Sequence, residues 1–386
     1  MRGTKVQITS VLWMSLMLVA CSSLGTGVTA TDERGETPLS ATSTRAVVPR
    51  TVAPASATVR PTSSPTTPVP ILPGPVVARE NAMRVAQLGG ISALAEAQDI
   101  ADIDWSPDGQ DIAVVVDGEA QIFEVPSLAR IATIRVIEDG LHLWMWSLDF
   151  SPEGDVVLVG GMGFARQWNW REGEPRGFPD RLGTESFDVE YSPDGRWIAS
   201  GSPDGAFVRA ADGSDSLRIL REDSYTYFTR WIGFSPDGRV LAAVVDDGYL
   251  RAWEPGTWSL AWQRELWPGG AGDLAYSPDG LLLTTGSSGD LLPLISSETG
   301  EDTESLTLEG TNGVIAAAFS PNGEVLVLGT VEGRIALWDL ATLRMLVELE
   351  GHTDSVERIV FSPDGRLFAS IGYDDMVRFW GIPAGQ

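Results

Sequence analysis

The sequence contains very few of the residues that most enzyme and metal sites need. It has one cysteine, Cys21, so no disulfide can form within the chain and no cysteine-ligated zinc site is available. Its two histidines, His142 and His352, exclude most histidine-based metal sites and acid–base pairs. No glycine-rich phosphate loop and no convincing Ser-His-Asp set are present. We therefore predict no catalytic residues, no metal and no cofactor.

Basic residues are also scarce. The chain has 27 Lys and Arg against 53 Asp and Glu, a formal net charge of −26, and Lys5 is its only lysine. Such a chain is repelled by phosphate backbones, so nucleic acid is excluded as a partner. The acidic excess has two interpretations, which are simple solubility and a site for a basic partner.

The N-terminal residues have the pattern of a targeting segment. Arg2 and Lys5 precede an apolar run from Val6 to Ala20, which is shorter than the ~20 residues of a membrane-spanning helix. A short charged start followed by a run of this length is typical of a secretory signal peptide. We predict a signal peptide at residues 1–20.

The end of that run resembles the bacterial lipobox, in which a small residue precedes a cysteine that becomes lipidated. The residues are Leu18-Val19-Ala20-Cys21. The resemblance implies cleavage before Cys21 and a lipid-anchored, extracytoplasmic protein of the cell envelope. The alternative is an ordinary signal peptide with an incidental cysteine, and Ser22 permits sorting to either an inner or an outer membrane.

Residues 21–78 form a second region, rich in Ser, Thr, Ala and Pro. No hydrophobic period runs through it, and such a composition buries too little apolar surface to offset the entropy of ordering. We interpret it as a lipidated cysteine followed by a disordered tether.

A repeat fills residues 79–386. Its marker is an aromatic residue followed by Ser-Pro-Asp-Gly or a close variant, at intervals of 41 to 45 residues. Proline, aspartate and glycine in this order are typical of a tight turn between strands, so we assign its aspartates a structural role. The seven marker serines are Ser106, Ser151, Ser192, Ser235, Ser277, Ser320 and Ser362.

Each marker lies between short strands, and repeat six shows four of them. Four strands in about 42 residues is the period of a β-propeller blade. We predict an all-β fold, a seven-bladed propeller of four-stranded antiparallel blades. Gln386 follows Trp380 by six residues, so we expect residues 82–89 to supply the outer strand of the last blade.

The repeats resemble the WD-repeat family. Gly351-His352 and Trp338-Asp339 match the start and the end of its motif. The resemblance implies a hydrogen-bonded structural tetrad in the last repeat, formed by His352, Ser370, Asp374 and Trp380. Other repeats depart from the family pattern. The tryptophan position is assigned to Ala210 in repeat three and Ile295 in repeat five, and repeat six has Leu328 and Glu332 where Ser and Asp are expected.

The remaining candidates are surface residues. Alignment to the marker serines places four aromatic residues at the entrance to the innermost strands, and propellers bind through such rims. These candidate binding residues are Trp144, Tyr227, Phe228 and Tyr373. Core packing is the alternative for each of them. It is also the alternative for Trp168 and Trp170, which lie one strand over.

We therefore predict a monomeric propeller, anchored to the envelope only through its lipid, that binds a protein, with a glycan as the second partner class. Two alternatives stay open. One is a propeller-fold hydrolase or lyase with carboxylates gathered at the channel, and the other is a structural subunit of an envelope assembly. Asp99, Asp102 and Asp104 lead into the first strand, with calcium binding as their alternative role.

Overall fold

A computed structural model of the chain describes residues 71–72, 74–91, 94, 97, 99–176, 185–215, 217–220, 227–266, 272–289, 291–308 and 310–384. In these ranges, thirty strands form seven four-stranded antiparallel sheets and one two-stranded hairpin. The prediction of an all-β, seven-bladed propeller is confirmed. The predicted signal peptide, Cys21 and residues 22–70 lie outside the described residues.

The first described elements are a short 3-10 helix, Ala82–Arg84, and strand β1, Ala86–Gly90. Three blades and a hairpin follow. Blade 1 consists of β2 (Ile100–Trp105), β3 (Asp111–Val116), β4 (Glu119–Glu124) and β5 (Ala129–Ile134). The hairpin consists of β6 (Val136–Glu138) and β7 (Leu141–Leu143). Blade 2 consists of β8 (Met145–Phe150), β9 (Val156–Gly161), β10 (Phe164–Asn169) and β11 (Glu174–Arg176). Blade 3 consists of β12 (Asp188–Tyr191), β13 (Trp197–Ser202), β14 (Gly205–Ala210) and β15 (Arg218–Leu220).

The remaining four blades complete the ring. Blade 4 consists of β16 (Thr229–Phe234), β17 (Leu241–Val245), β18 (Tyr249–Glu254) and β19 (Ser259–Glu265). Blade 5 consists of β20 (Leu274–Tyr276), β21 (Leu282–Thr285), β22 (Leu291–Ser296) and β23 (Asp302–Thr307). Blade 6 consists of β24 (Val314–Phe319), β25 (Val325–Thr330), β26 (Arg334–Asp339) and β27 (Arg344–Glu350). Blade 7 consists of β28 (Val356–Phe361), β29 (Leu367–Gly372) and β30 (Met376–Gly381), with β1 as its outer strand.

The position of a strand in its blade explains its composition. The second strands β3 and β29 are buried at every residue because they are covered on both sides by neighbouring blades. They are accordingly largely apolar. The outer strand β19 has alternate residues exposed because only one side packs on the next blade. The hydrophobic core therefore lies between blades.

The marker turns adopt one geometry in all seven blades. The glycine N–H donates to the serine carbonyl at 2.8 Å, and the glycine φ lies between +68° and +75°, a left-handed conformation that favours glycine. In blade 1 the Ser106 Oγ accepts the Asp111 N–H at 2.9 Å and donates to the Asp108 carboxylate at 2.7 Å. The marker aspartates are thus turn-forming groups.

The ring closes through the N-terminal segment. Strand β1 pairs antiparallel with β30, and Gln87 lies opposite Trp380. The strand is shorter than the predicted 82–89, because Asn81 turns the chain into the 3-10 helix first. The Asn81 carbonyl accepts the Arg84 N–H at 2.8 Å, and its side chain accepts the Ala78 N–H at 2.9 Å.

Residues before β1 also pack on the propeller. Ile71 is buried and its N–H donates to the Pro126 carbonyl of blade 1 at 2.9 Å. Val77 is buried and its N–H donates to the Gly365 carbonyl of blade 7 at 2.9 Å. Among the described residues the packed segment therefore begins at Ile71, eight residues before the predicted start of the propeller.

The two faces of the ring carry different connections. The marker turns and the turns between third and fourth strands lie on one face, which we call the marker face. The turns between second and third strands and the loops between blades lie on the other, which we call the entrance face. Because Ile71 contacts the turn between β4 and β5 and Val77 contacts the marker turn of blade 7, both residues lie on the marker face.

The strand register corrects one assignment made from the sequence. In blade 7, Trp380 pairs with Phe368, the second residue of β29. In blade 3 the equivalent residue, Ile198, pairs with Arg209, so Arg209 and not Ala210 occupies the tryptophan position. The turn before β14 has one residue fewer than the turn before β30, and counting from the marker serine therefore overshoots by one.

Candidate functional site

The four residues of the family tetrad lie in one hydrogen-bonded chain. The Trp380 Nε1–H donates to the Ser370 Oγ at 2.8 Å. The Ser370 Oγ lies 2.7 Å from the His352 Nε2, and the His352 Nδ1 lies 2.8 Å from the Asp374 Oδ1. Burial lowers the pKa of His352, so its ring is neutral at physiological pH. This series of hydrogen bonds connects the loop before β28, which contains His352, to strands β29 and β30.

Blade 6 shows what its departures from the family pattern change. With Leu328 in place of serine, the buried Trp338 Nε1 has no hydrogen-bond partner among the described residues. Glu332 keeps part of the aspartate's role, because its carboxylate accepts the Asn312 N–H at 2.7 Å as Asp374 accepts the Thr353 N–H at 2.9 Å. Partial burial raises the pKa of the Glu332 carboxyl, but the hydrogen bonds that it accepts from Asn312 and Thr311 outweigh burial and lower that pKa to about 2.

The four predicted binding residues are partly exposed on the entrance face. Between 37% and 39% of each residue is accessible to solvent, for Trp144, Tyr227, Phe228 and Tyr373 alike. Trp168 and Trp170, by contrast, are buried in the core, as the packing alternative had them. The structure does not bring the four together in one patch, and it divides them between two sectors of the face.

The first sector is a row of aromatic rings that sequence reasoning only partly found. Trp146 stacks on Phe187 with ring centroids 5.6 Å apart, and Phe187 lies 5.8 Å from Phe228. Backbone hydrogen bonds of 2.8 Å fix two of these residues, since Phe187 N–H donates to Gly201 and Phe228 accepts from Asp246. We call Trp146, Phe187 and Phe228 the aromatic row. Trp146 and Phe187 both stand five residues before a marker serine, a signal that alignment of the repeats could have found.

The second sector surrounds Trp144 and Tyr373. A Cβ placed on Gly118 would lie 2.6 Å from the Trp144 ring, so this ring lies flat against the turn of blade 1. The hairpin of β6 and β7 stands beside it, with His142 exposed and its ring centroid 6.3 Å from that of Trp144. The hairpin was not predicted because it falls outside the four-strand period, although it lies in the longest interval between marker serines, the 45 residues from Ser106 to Ser151.

The channel contains a charge cluster centred on Arg358 of blade 7. Its guanidinium lies 3.0 Å from Asp102, 3.8 Å from Asp188 and 3.6 Å from Asp273. These aspartates come from blades 1, 3 and 5, so one arginine joins its own blade to three others. Burial raises the pKa of Asp188 to about 6 and that of Asp273 to about 7, although Arg358 opposes both shifts.

A second set of carboxylates continues along the channel. Each accepts a backbone N–H from the innermost strand of the next blade, at 3.0 Å for Asp104 with Phe150, and at 3.2 Å for Glu190 with Phe234. Asp149 accepts the Tyr191 N–H in the same way at 2.6 Å. Burial and mutual repulsion raise the pKa of all three.

Asp102 and Asp104, which the sequence placed at the start of the first strand, also make contacts with other blades. The Asp102 carboxylate also accepts the Leu148 N–H of blade 2 at 2.9 Å. Carboxylates do converge on a basic group, as the enzyme alternative required. They are already engaged by Arg358 and by neighbouring strands, so we assign them the role of joining blades. Within the described ranges no group of three or more His, Cys, Asp or Glu could hold a metal ion.

Comparison with known proteins agrees with this geometry. The family model described as "WD domain, G-beta repeat" matches residues 185–207, 303–339 and 343–381. The chain carries WD repeats. The matched segments fall in blade 3 and from the outer strand of blade 5 through blade 7.

Several curated proteins are similar to part of this chain. A "WD repeat-containing protein SL1-17" of Schistosoma mansoni is 27% identical over 50% of this chain and 63% of its own length. "Periodic tryptophan protein 2" of Arabidopsis thaliana is 22% identical over 51% of this chain and 22% of its own length. A chicken "Serine-threonine kinase receptor-associated protein" is 28% identical over 39% of this chain and 42% of its own. The matches thus span less than two thirds of each of these relatives.

Proposed function

We propose that this propeller is a protein-interaction module that binds its partner through the entrance face. The aromatic row carries the proposal. It presents partly exposed rings from three adjacent blades, and aromatic side chains are the commonest anchors of protein interfaces. Tyr227 and Phe228 add exposed area at its end.

The marker face fits this role less well. Its serine and aspartate groups are engaged within their own turns, and residues 71–77 cross it. The exposed Leu281 lies there next to the marker glycine of blade 5, and Leu72 and Val76 of the crossing segment are also exposed. Single exposed apolar residues are normal on a protein surface, whereas a connected row is not.

The relatives support a protein as the partner. The name of the chicken protein describes association with a receptor. We extend that class of function to this chain because both the repeats and the exposed row are present. A glycan remains the second partner class.

We further propose that the propeller works on the cell envelope, anchored through Cys21. This proposal rests on the lipobox-like residues, and the arrangement of the chain is compatible with it. The described segment that packs on the propeller starts at Ile71, on the marker face. None of the helices in the described residues is long and apolar enough to cross a membrane.

Metabolic labelling tests the anchor. Cells expressing the full chain should incorporate a palmitate analogue into the protein, and Cys21→Ser should abolish the label while leaving the propeller folded. Ser127→Ala is the matched control, since it removes a hydroxyl from an exposed turn of blade 1. Equal labelling of the wild type and Cys21→Ser would overturn lipidation at this site.

Photocrosslinking tests the binding face. A benzoylphenylalanine at position 228 should capture a single protein partner in intact cells of the source organism, whereas the same group at position 281 should not. Both positions are exposed and apolar, so the pair controls for nonspecific capture. Equal capture from the two positions would overturn the assignment to the entrance face.

A further inference from the structure

The aromatic row has a regular spacing that a partner has to match. The ring centroids of Trp146 and Phe187 lie 5.6 Å apart, and those of Phe187 and Phe228 lie 5.8 Å apart. The angles between successive ring planes are 30° and 40°, so each ring is inclined towards the next in a similar way. Three side chains from three consecutive blades therefore form a ridge with two nearly equal steps.

The local backbone explains why these rings reach the entrance face. Trp146 is the extra residue of a β-bulge between Met145 and Ser147 in strand β8, and a bulge re-aims the side chain that it carries. Phe187 and Phe228 each stand one residue before the innermost strand of their blade. All three rings therefore project from irregular backbone at the start of an innermost strand.

Backbone groups beside the aromatic row are already paired within the propeller. The Phe187 N–H donates to the Gly201 carbonyl at 2.8 Å, and the Phe228 carbonyl accepts the Asp246 N–H at 2.8 Å. A partner strand that adds to a sheet gains its affinity from main-chain hydrogen bonds, and these two groups are not free to form them. A helix forms its backbone hydrogen bonds internally, so it can bind through side chains alone.

The step of the aromatic row also separates the possible partner conformations. Side chains on one side of an α-helix recur once per turn, about every 5.4 Å. On one side of a β-strand they recur about every 6.7 Å, and on one side of a polyproline II helix about every 9.3 Å. The steps of 5.6 and 5.8 Å are closest to the helix, and a strand would be out of register by about 2 Å after two steps.

We propose that the aromatic row binds an amphipathic α-helix of the protein partner, whose apolar residues recur every three or four positions. This proposal rests on the proposed function and specifies the partner that the same surface takes. The apolar face of the helix packs on the three rings, and its other side faces solvent. The charge of the whole chain, −26, favours basic residues at the margins of that apolar face.

Two crosslinking positions measure the periodicity of the partner directly. Azidophenylalanine replaces Phe187 in one full-length protein and Phe228 in another, and both replacements are nearly isosteric because the native residues are phenylalanines. The proteins are irradiated in intact cells of the source organism, and mass spectrometry locates the captured partner residues. We expect the two positions to capture residues three or four apart in one partner segment. Position 281 on the marker face is the control and should capture neither.

A proline pair then tests whether the captured segment binds as a helix. The segment is made as a fluorescent peptide, and its binding to the full-length chain is measured by anisotropy. Proline at a solvent-facing position between the two captured residues should weaken binding at least about tenfold, because proline breaks a helix interior. Proline at the first helical position is tolerated and should change the affinity by less than about twofold. Equal effects of the two prolines would overturn the helix.

The remaining outcomes separate this proposal from the proposed function. Captured residues two apart would show an extended partner, and a captured species that only a glycosidase removes would show a glycan. Either result overturns the helix. In the first case the capture of a protein at position 228 still supports the proposed function. If positions 187 and 228 capture nothing that position 281 does not, the proposed function fails and the helix fails with it.

Discussion

At the scale of the residue, Arg358 has the largest predicted effect on stability. Among the residues that the structure describes, it is the cation that pairs with Asp102, Asp188 and Asp273. Replacing one partner of a buried charge cluster leaves the others without compensation, which costs about 3–5 kcal/mol. We therefore expect Arg358→Met to lower the free energy of unfolding by about that amount at pH 8, measured by denaturant titration.

The matched control is Arg366→Met. Arg366 is half-exposed on the marker face and lies 3.6 Å from Asp364, so its loss should cost less than about 1 kcal/mol. If the two variants lose equal stability, the charge cluster does not join the blades in the way described.

The same aspartates predict how stability depends on pH. Their pKa values are raised, to about 6 for Asp188 and about 7 for Asp273, so the folded state binds protons that the unfolded state has released. Their contribution is complete below pH 4 and is lost as the pH rises through 6 and 7. Thermal unfolding should therefore occur at a lower temperature at pH 8 than at pH 5.

Arg358→Met sharpens that test. Without the guanidinium, ionising the buried aspartates destabilises the folded state more. The variant should therefore lose more stability between pH 5 and pH 8 than the wild type. A wild type that is equally stable at both pH values, with a variant that parallels it, would show that these groups do not titrate in this range.

The channel also shows what could and could not be found from the sequence. Asp102, Asp188, Asp273 and Arg358 all stand four residues before a marker serine, so alignment of the repeats places them at one level. That they meet follows only from closure of the ring, which brings residues 102 and 358 together. The meeting of carboxylates with one arginine therefore depends on tertiary geometry.

At the scale of the element, regular features were predictable and irregular ones were not. The marker turns follow from local chemistry, since proline, aspartate and glycine each favour one position of the turn. The hairpin of β6 and β7 and the segment at 71–77 have no repeat partner, and no period indicated them. The strand β1 was predicted because it replaces an outer strand that the period required.

Strand β1 gives a prediction at this scale. Deleting residues 82–90 removes the partner of β30 and exposes a strand edge, so we expect loss of the cooperative unfolding transition. Deleting residues 22–70 leaves every described residue in place, including Ile71, and should not change the unfolding midpoint. Thermal unfolding of both deletion variants, followed by circular dichroism, tests whether β1 closes the ring. Equal stability of the two variants would contradict this role of β1.

At the scale of the whole molecule, the two faces of the ring carry different surface features. Residues 71–77 reach the propeller on the marker face, and the exposed aromatic residues lie on the entrance face. This arrangement was only partly predictable, because the sequence placed Trp144, Tyr227, Phe228 and Tyr373 near one rim without showing that they form two sectors. The division depends on Trp146 and Phe187, which link Phe228 to neighbouring blades.

The central claim is that a protein partner binds the entrance face. The most direct measurement is quantitative recovery of crosslinked partner from intact cells by the wild type, by Phe228→Ser and by Leu281→Ser. The account predicts one stoichiometric partner with the wild type and with Leu281→Ser, and at least about tenfold less with Phe228→Ser, since truncating an interface anchor costs 2 kcal/mol or more, roughly. Equal recovery with all three proteins would contradict it.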